Sequence, residues 1–357
     1  MSKAAAAPSP KCATCGAPVA WDAGLGALAC AYCGSSSAVE AVGSVVEHGL
    51  ARAATYRAAR LRVRRVGCTG CGAQVDFEPG IIASRCAFCG SHEIVVQDAE
   101  AAAPESVLPF AVPRTEADEA FRRWLKGLWF RPNDLKRMAK LKELRGVYLP
   151  FWTFDATADS RWTAMAGYHY WVTQSYTVSV NGRSQRLYRQ VQRTRWEPAT
   201  GQRRDRHDDH LVYASRGLPL HLVRNVEPFD TTKLQPFTTA FLAGWGAEEA
   251  AFGAEQGWEV GQHQLQEEQK KRCAGDVPGN THRDLRVQTD FSAVTFKPTL
   301  LPIYVAAYAY RDEIYRFLVN GQTGKVSGDA PWSWVKITLA VIFALLLLGG
   351  VWAAEGR

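Results

Sequence analysis

The sequence has 357 residues, of which 47% are apolar and 22% charged, and this composition is ordinary for a globular protein of two or three domains. A net charge of +7 excludes little, because it is compatible with anionic lipid or nucleic acid and requires neither. The first residues, MSKAAAAPSPK, lack the apolar core of a signal peptide, so we expect no secretory leader.

A small module occurs twice near the start of the chain. Residues 12–35 and 68–91 align without a gap, and 12 of their 24 positions are identical. Both copies read C-x2-C-x14-C-x2-C, and a glycine follows the second cysteine of every pair. Two thiolates this close together suit one tetrahedral ion better than a disulfide, and the pattern favours a reducing compartment.

Four thiolates close the coordination shell and leave no position for water, so each module is expected to be a zinc ribbon with a structural ion. Iron–sulfur ligation and a redox dithiol are the alternatives for the same residues. We predict two structural zinc ions, one per module. The predicted ligands are Cys12, Cys15, Cys30 and Cys33 in the first site, and Cys68, Cys71, Cys86 and Cys89 in the second.

The segment between the modules is rich in arginine and has no acidic residue after Glu47. It is either a solvated basic face or a surface that contacts phosphates of lipid headgroups or nucleic acid through charge. The candidates for anion contact are Arg52, Arg57, Arg60, Arg62, Arg64 and Arg65.

The middle of the chain reads as a linker, a helical segment and a β domain. Residues 99–107 read as a linker from their Ala, Pro and Ser content. TEADEAFRRWLKGLWF then spaces Phe121, Trp124, Leu125 and Leu128 along one helix face. A second short helix is expected from Asn133 to Gly146. In YHYWVTQSYTVSV, apolar and aromatic residues recur at period two, and Asn181–Gly182 predicts a tight hairpin.

Three patterns in the β domain are weighed as signs of catalysis. NGQTGK, at residues 320–325, lacks two positions of a phosphate-binding loop and is expected to be a hairpin turn. HDDH offers His207, Asp208 and His210, but adjacent residues of an extended segment point to alternating faces. Cys273 is expected to be structural. An enzyme is therefore the less favoured interpretation.

The C-terminal region is the most apolar part of the sequence. Residues 337–354 carry no charge, and a helix of this length matches the thickness of a bilayer. We therefore expect a transmembrane tail anchor, with the bulk of the chain in the cytoplasm and a single pass through the inner (cell) membrane. The residues expected at the membrane interface are Trp332, Trp334, Lys336 and Trp352.

Several longer phrases resemble one bacterial protein family. LKGLWFRPNDL, VYLPFWTFDA, TRWEPATG, DDHLVYAS, TFKPTLLPIYVAAYAYR and FLVNGQTGKVSGDAPWSW are similar to a family of membrane-anchored zinc-ribbon proteins, whose ribbon is of the transcription-factor type. The resemblance covers roughly residues 108–357 and, in general form, the ribbons. It implies a partner among flotillin-like (SPFH-domain) or phage-shock-type envelope stress proteins, and it implies no catalytic residue.

Together these observations predict an α+β protein with two N-terminal four-cysteine zinc ribbons, a largely antiparallel β domain with helices, and a C-terminal transmembrane helix. We expect a non-enzymatic adaptor that docks a protein partner at the membrane, with lipid contacted by the last helix. A membrane-tethered nucleic-acid-binding protein and an enzyme with a site in the β domain are the alternatives. The expected limits are 1–42 (first ribbon), 43–98 (basic connector and second ribbon), 99–107 (linker), 108–147 (helical segment), 148–330 (α+β domain) and 331–357 (tail anchor).

Overall fold

The structure is a computed structural model, and it is mostly β. It describes residues 10–40, 43–70, 73–77, 86, 88, 91, 93–132, 140–141, 144–180, 183–310 and 313–355. The strands are β1 (Ala20–Asp22), β2 (Ala27–Ala29), β3 (Ser36–Ser37), β4 (His48–Gly49), β5 (Arg60–Cys68), β6 (Gln74–Phe77), β7 (Ile94–Ala102), β8 (Ser106–Val107), β9 (Lys140–Leu141), β10 (Arg145–Val180), β11 (Arg183–Tyr213), β12 (Gln235–Pro236), β13 (Gly246–Ala247), β14 (Thr281–Tyr310), β15 (Glu313–Asn320) and β16 (Val326–Gly328). The α-helices are α1 (Arg114–Gly127), α2 (Leu220–Val226), α3 (Ala254–Asp276) and α4 (Trp334–Glu355).

Three long strands form the centre of the molecule. β10 pairs antiparallel with β11 along its length, from Phe151 opposite Tyr213 to Val180 opposite Arg183. Its other edge pairs antiparallel with β14, from Arg145 opposite Val305 to Gly167 opposite Thr281. β15 and β16 continue the sheet beyond β14. In β10, buried and more exposed residues alternate from Ala156 to Ala164, as expected of a strand with one covered face.

The strands that flank the second cysteine module belong to the same sheet. β5 pairs with β6 and β7, and β6 pairs with β13, where Asp76 lies opposite Ala247. β13 in turn lies parallel to β10, and β8 lies parallel to β14. The sheet is therefore mixed and the protein is mostly β, so the prediction of an α+β protein is wrong. The parallel pairings are made by β8 and β13, which are only two residues long and therefore have no recognisable pattern in the sequence.

The first module keeps a small sheet of its own, in the order β1-β2-β3. Its Trp21 and Leu28 nevertheless belong to the main core of the protein, together with residues from α1 and from the central strands. α1 contributes Phe121, whose ring contacts that of Phe317 at 4.5 Å between centroids. The predicted apolar face of this helix is confirmed, because Phe121 and Leu125 are buried.

The C-terminal helix forms as expected, but its predicted role does not hold. A span needs about 20 predominantly apolar residues, and no helix within the described ranges is long and apolar enough to cross a bilayer. The predictions of a transmembrane tail anchor and of single-pass localisation in the inner membrane are therefore wrong, and contact of this helix with lipid stays a prediction. Residues 331–333 precede α4 without regular structure, and Trp352 lies near its end.

Two side chains expected at a membrane interface instead contact other parts of the protein. The guanidinium of Arg131 lies over the Trp332 ring, 3.7 Å from its centroid. Lys336 donates a hydrogen bond from Nζ to the carbonyl of Trp129 at 3.0 Å. Trp334 is 76% exposed. The contacts of Trp332 and Lys336 join the start of α4 to the segment that follows α1.

Some predicted elements fall where the structure gives no description. Asn181 and Gly182 lie outside the described residues, as do residues 133–139 and 142–143 of the expected second helix. The rest of that expected helix includes Lys140–Leu141, which is strand β9, and Arg145 and Gly146, which begin β10. The domain limits remain a prediction.

Candidate metal centre

The first four cysteines converge at one point between two tight turns. Their sulfur atoms all lie within 4.8 Å of one another. Cys12 Sγ is 3.6 Å from Cys33 Sγ, and Cys15 Sγ is 3.6 Å from Cys30 Sγ. With metal–sulfur bonds of about 2.3 Å, the edge of a tetrahedron is about 3.8 Å. The four thiols thus form a site that can hold one structural metal ion.

The two turns that carry these cysteines have the same backbone geometry. The amide of Cys12 donates to the carbonyl of Ala17 at 2.8 Å, and the amide of Cys30 donates to Ser35 at 2.9 Å. In each turn a glycine, Gly16 or Gly34, has a φ near +73°, where L side chains are strained. The glycine after each CxxC pair is therefore required by the turn that aims both sulfurs inward.

Ser35 is a polar neighbour of the site that the spacing of the cysteines does not reveal. Its hydroxyl lies 3.0 Å from Cys12 Sγ and 3.1 Å from Cys33 Sγ. This hydroxyl lowers the pKa of Cys12 to about 5 and also lowers the pKa of Cys33. The amide of Ala17 favours the thiolate of Cys15, but the neighbouring thiols outweigh it and the pKa of Cys15 is raised to about 12. Thiols packed this closely cannot all ionise without a cation between them.

The first module is fixed to the rest of the protein by hydrogen bonds at Trp21. Its indole Nε1 donates to the carbonyl of Phe110 at 2.9 Å, and its amide donates to Ala243 at 3.0 Å. Trp245 donates from Nε1 to the carbonyl of Trp21 at 3.2 Å. Gly244 has a φ of +83°, and a Cβ there would lie 2.9 Å from the Cβ of Ala20. The metal site is therefore part of the main body of the protein.

The second module repeats the turn geometry where it is described. The amide of Cys68 donates to Ala73 at 2.9 Å and that of Cys86 donates to Ser91 at 2.8 Å, which is the same five-residue spacing as in the first module. Both cysteines are buried. Cys71 and Cys89 lie outside the described residues, so the second predicted ligand set is placed only at these two positions.

The arginines predicted to contact anions are distributed over several environments. Arg65 donates to both carboxylate oxygens of Asp76, at 2.7 and 2.8 Å, and to Glu249 at 2.6 Å. Hydrogen bonding to Asp76 raises the pKa of Arg65 above its ordinary value. Arg60 lies 3.7 Å from Glu249, and Arg57 donates to backbone carbonyls of its own turn. Arg52 ends a 3-10 turn, and Arg62 and Arg64 lie on β5.

The residues weighed as a catalytic group in the β domain do not converge. His207 is buried and its Nε2 is 2.8 Å from Nε2 of Gln269, whereas His210 Nε2 is 2.9 Å from Oε1 of Gln264. Both glutamines belong to α3, and burial lowers the pKa of each histidine. Asp208 is exposed. Cys273 is completely buried on α3, and Gly321–Thr323 forms the turn between β15 and β16 that NGQTGK predicts.

A cluster of three carboxylates that lies near these histidines could not be predicted from the sequence. Glu47, Asp155 and Asp209 have carboxylate oxygens within 4.8 Å of one another. The ammonium of Lys297 lies 2.7 Å from Glu47 and 2.5 Å from Asp209. Because an internal cation already occupies this position, the cluster is an ion-pair network that ties β4 to the central sheet.

Comparison with known proteins leaves the activity open. No family model matches the chain, and no solved structure matches it. The chain is similar to the uncharacterized protein YdjG of Bacillus subtilis (strain 168), with 28% identity over an alignment 357 positions long. The alignment covers 95% of this chain and 98% of the Bacillus protein, so the similarity extends over nearly the whole length of both.

Proposed function

We propose that the protein is a non-enzymatic adaptor that carries two structural zinc ions. Four sulfur ligands in a closed tetrahedral arrangement suit zinc, and a closed site serves structure because no coordination position is left for substrate. The repeat of the cysteine spacing and of the turn hydrogen bonds supports a second ion of the same kind.

The partner is a protein that docks on the tips of the first ribbon. Tyr32, between the cysteines of the second pair, is 89% exposed, and Leu25, in the turn between β1 and β2, is 64% exposed. Large apolar side chains on rigid tips bind a partner at a small entropic cost, because the metal and the turn already fix the backbone. This exposed pair is the observation that carries the proposal, and the resemblance to zinc-ribbon proteins points to a flotillin-like (SPFH-domain) assembly as the partner.

A binding measurement with purified components tests this function. The full chain, immobilised in zinc-containing buffer, is titrated with a flotillin-like assembly by biolayer interferometry. The double variant Leu25→Ser with Tyr32→Ser should weaken binding about tenfold or more. Val95→Ser is the matched control, because Val95 is also apolar and 56% exposed but lies on β7. Equal binding by the wild type and the double variant, or no binding by the wild type, would refute the proposal.

A further inference from the structure

The distal halves of β10 and β11 form an arm that extends past the rest of the sheet. β14 accompanies β10 only as far as the pair Gly167–Thr281. From Tyr168 onward, β10 pairs with β11 alone within the described part of the chain, up to Val180 opposite Arg183. At about 3.4 Å per residue, this two-stranded arm is about 40 Å long.

One face of the arm sorts its side chains into two parallel columns. In two antiparallel strands, the side chains of directly opposed residues lie on the same face of the sheet, and every second residue along each strand lies on that face. The aromatic column on β10 is Tyr168, Tyr170 and Tyr176, and the basic column on β11 is Arg183, Arg189, Arg193 and Arg195. Tyr168 lies opposite Arg195 and Tyr170 lies opposite Arg193. The two columns therefore run side by side, one strand spacing of about 4.8 Å apart.

Both columns are accessible. Tyr170 is 45% exposed and Tyr176 is 40% exposed. Arg189 and Arg193 are exposed, and neither forms an ion pair among the described residues. Arg195 lies 3.0 Å from Glu197 at the base of the arm and 5.9 Å from the Tyr168 ring centroid.

The net positive charge of the arm indicates that its ligand is negatively charged. Residues 168–195 contain five arginines and no aspartate or glutamate. Such a surface has a positive electrostatic potential, which attracts a polyanion. The opposite face of the same arm contains His169, Trp171, Arg186 and Tyr188 among serines, threonines and glutamines, so it lacks the paired columns.

We propose that the tyrosine–arginine face of this arm binds single-stranded nucleic acid. A single strand has bases along one side and phosphates along the other, and these two rows match the tyrosine and arginine columns. Bases stack on tyrosine rings, and guanidiniums bind phosphate oxygens through charged hydrogen bonds. A duplex keeps its bases stacked inside and cannot use the rings, and an acidic polypeptide would use only the arginines. This surface is separate from the ribbon tips and does not depend on the adaptor proposal.

The test is fluorescence anisotropy with the full chain and labelled 12-mers of oligo(U), oligo(dT) and a duplex of mixed sequence. We expect both single strands to bind more tightly than the duplex, with log K falling against log salt at a slope of about −2 for three phosphates. Arg189→Gln with Arg193→Gln should bring that slope close to −1 and weaken binding at about 50 mM salt. Tyr170→Ala should weaken binding about tenfold and leave the slope unchanged.

The control is the double variant Arg186→Gln with Tyr188→Ala, which removes one charge and one ring from the opposite face of the same arm. It should change the affinity less than twofold. All substituted side chains are on the surface, and an unchanged circular dichroism spectrum verifies folding. A preference for RNA or for DNA identifies the source of the ligand, and either preference supports the proposal.

Three results would overturn the inference. The first is tighter binding to the duplex than to the single strands. The second is full competition by polyglutamate together with no effect of Tyr170→Ala, which would identify an acidic polypeptide as the ligand. The third is equal loss of binding in the opposite-face control.

Discussion

Buried charge is the residue-scale feature with the largest expected effect on stability. Glu248, which follows β13, is only 7% exposed, and its Oε2 has no hydrogen-bond partner among the described residues. Burial raises the pKa of Glu248 from an ordinary 4.5 to about 7, although a hydrogen bond with Ser215 acts in the opposite direction. A carboxyl with a raised folded-state pKa keeps its proton more readily in the folded protein than in the unfolded chain.

Glu248→Gln should therefore make the protein more stable than the wild type above pH 7. Ionisation of the buried carboxyl destabilises the folded protein. The contribution of Glu248 to the free energy of unfolding is therefore most favourable below pH 4.5 and is lost as the pH rises to about 7. The free energy of unfolding of the variant minus that of the wild type should grow by about 2–3 kcal/mol over this range. Urea denaturation at pH 4.5, 6 and 8 measures the difference. A difference that stays constant with pH would contradict the raised pKa.

At the scale of elements, α3 packs against the central sheet through small residues. The buried positions of this helix include Gly257, Gly261, Leu265, Gln269 and Cys273, which recur every four residues and so share one face. A Cβ on Gly257 would lie 2.8 Å from Cδ1 of Trp152, so this glycine permits the close approach of the helix to β10. Gly275, near the end of the same helix, would meet nothing within 4 Å.

Gly257→Ala and Gly275→Ala should consequently have opposite effects. The first should destabilise the protein by about 1–3 kcal/mol, because the added methyl group forces the helix away from the Trp152 ring. The second should be neutral or stabilising by up to about 1 kcal/mol, because alanine favours the helix and no contact opposes it. Chemical denaturation of both variants checks the pair. Equal changes in stability would mean that helix propensity, and not close packing, determines the effect of the substitution at Gly257.

The sequence predicted local turns and helix faces better than the contacts between elements that are remote in the chain. The CxxC spacing located the turns at Cys12 and Cys30, and helical periodicity located the face of α1, because both signals are contained in a few neighbouring residues. Period two located the paired arm, but two glycines and one proline within β10 concealed a strand of 36 residues. The role of Trp21 as a core residue could not be predicted, because its partners Phe110, Ala243 and Trp245 are remote in sequence.

At the scale of the whole molecule, the first ribbon and the main core share buried side chains. Trp21 and Leu28 pack in the same cluster as Tyr148, Tyr304 and Phe317 from the central sheet. Metal bound at the cysteines therefore stabilises the same cooperative unit as the sheet. The uncharged run at residues 337–354 was misleading at this scale, because no helix in the described part of the chain is long and apolar enough to cross a bilayer.

Loss of one metal ligand should lower the thermal stability of the entire protein. Elemental analysis should find about two zinc ions in the wild type and about one in Cys30→Ser. The variant should unfold in one transition, shifted down by about 5 °C or more, or about 2 kcal/mol. Tyr32→Ala, in the same turn, should keep both ions and the original midpoint in differential scanning calorimetry. A separate low-temperature transition with the main one unchanged would show that the ribbon melts alone.

The bond between the indole of Trp245 and the carbonyl of Trp21 joins residues 224 positions apart. If the ribosome adds about 5–20 residues per second, Trp245 is synthesised about 10–45 seconds after Trp21. During that interval the nascent ribbon, already able to acquire its ion, exposes a large aromatic side chain to solvent and to chaperones. The order of synthesis thus makes the first part of the protein to be translated among the last to reach its final packing.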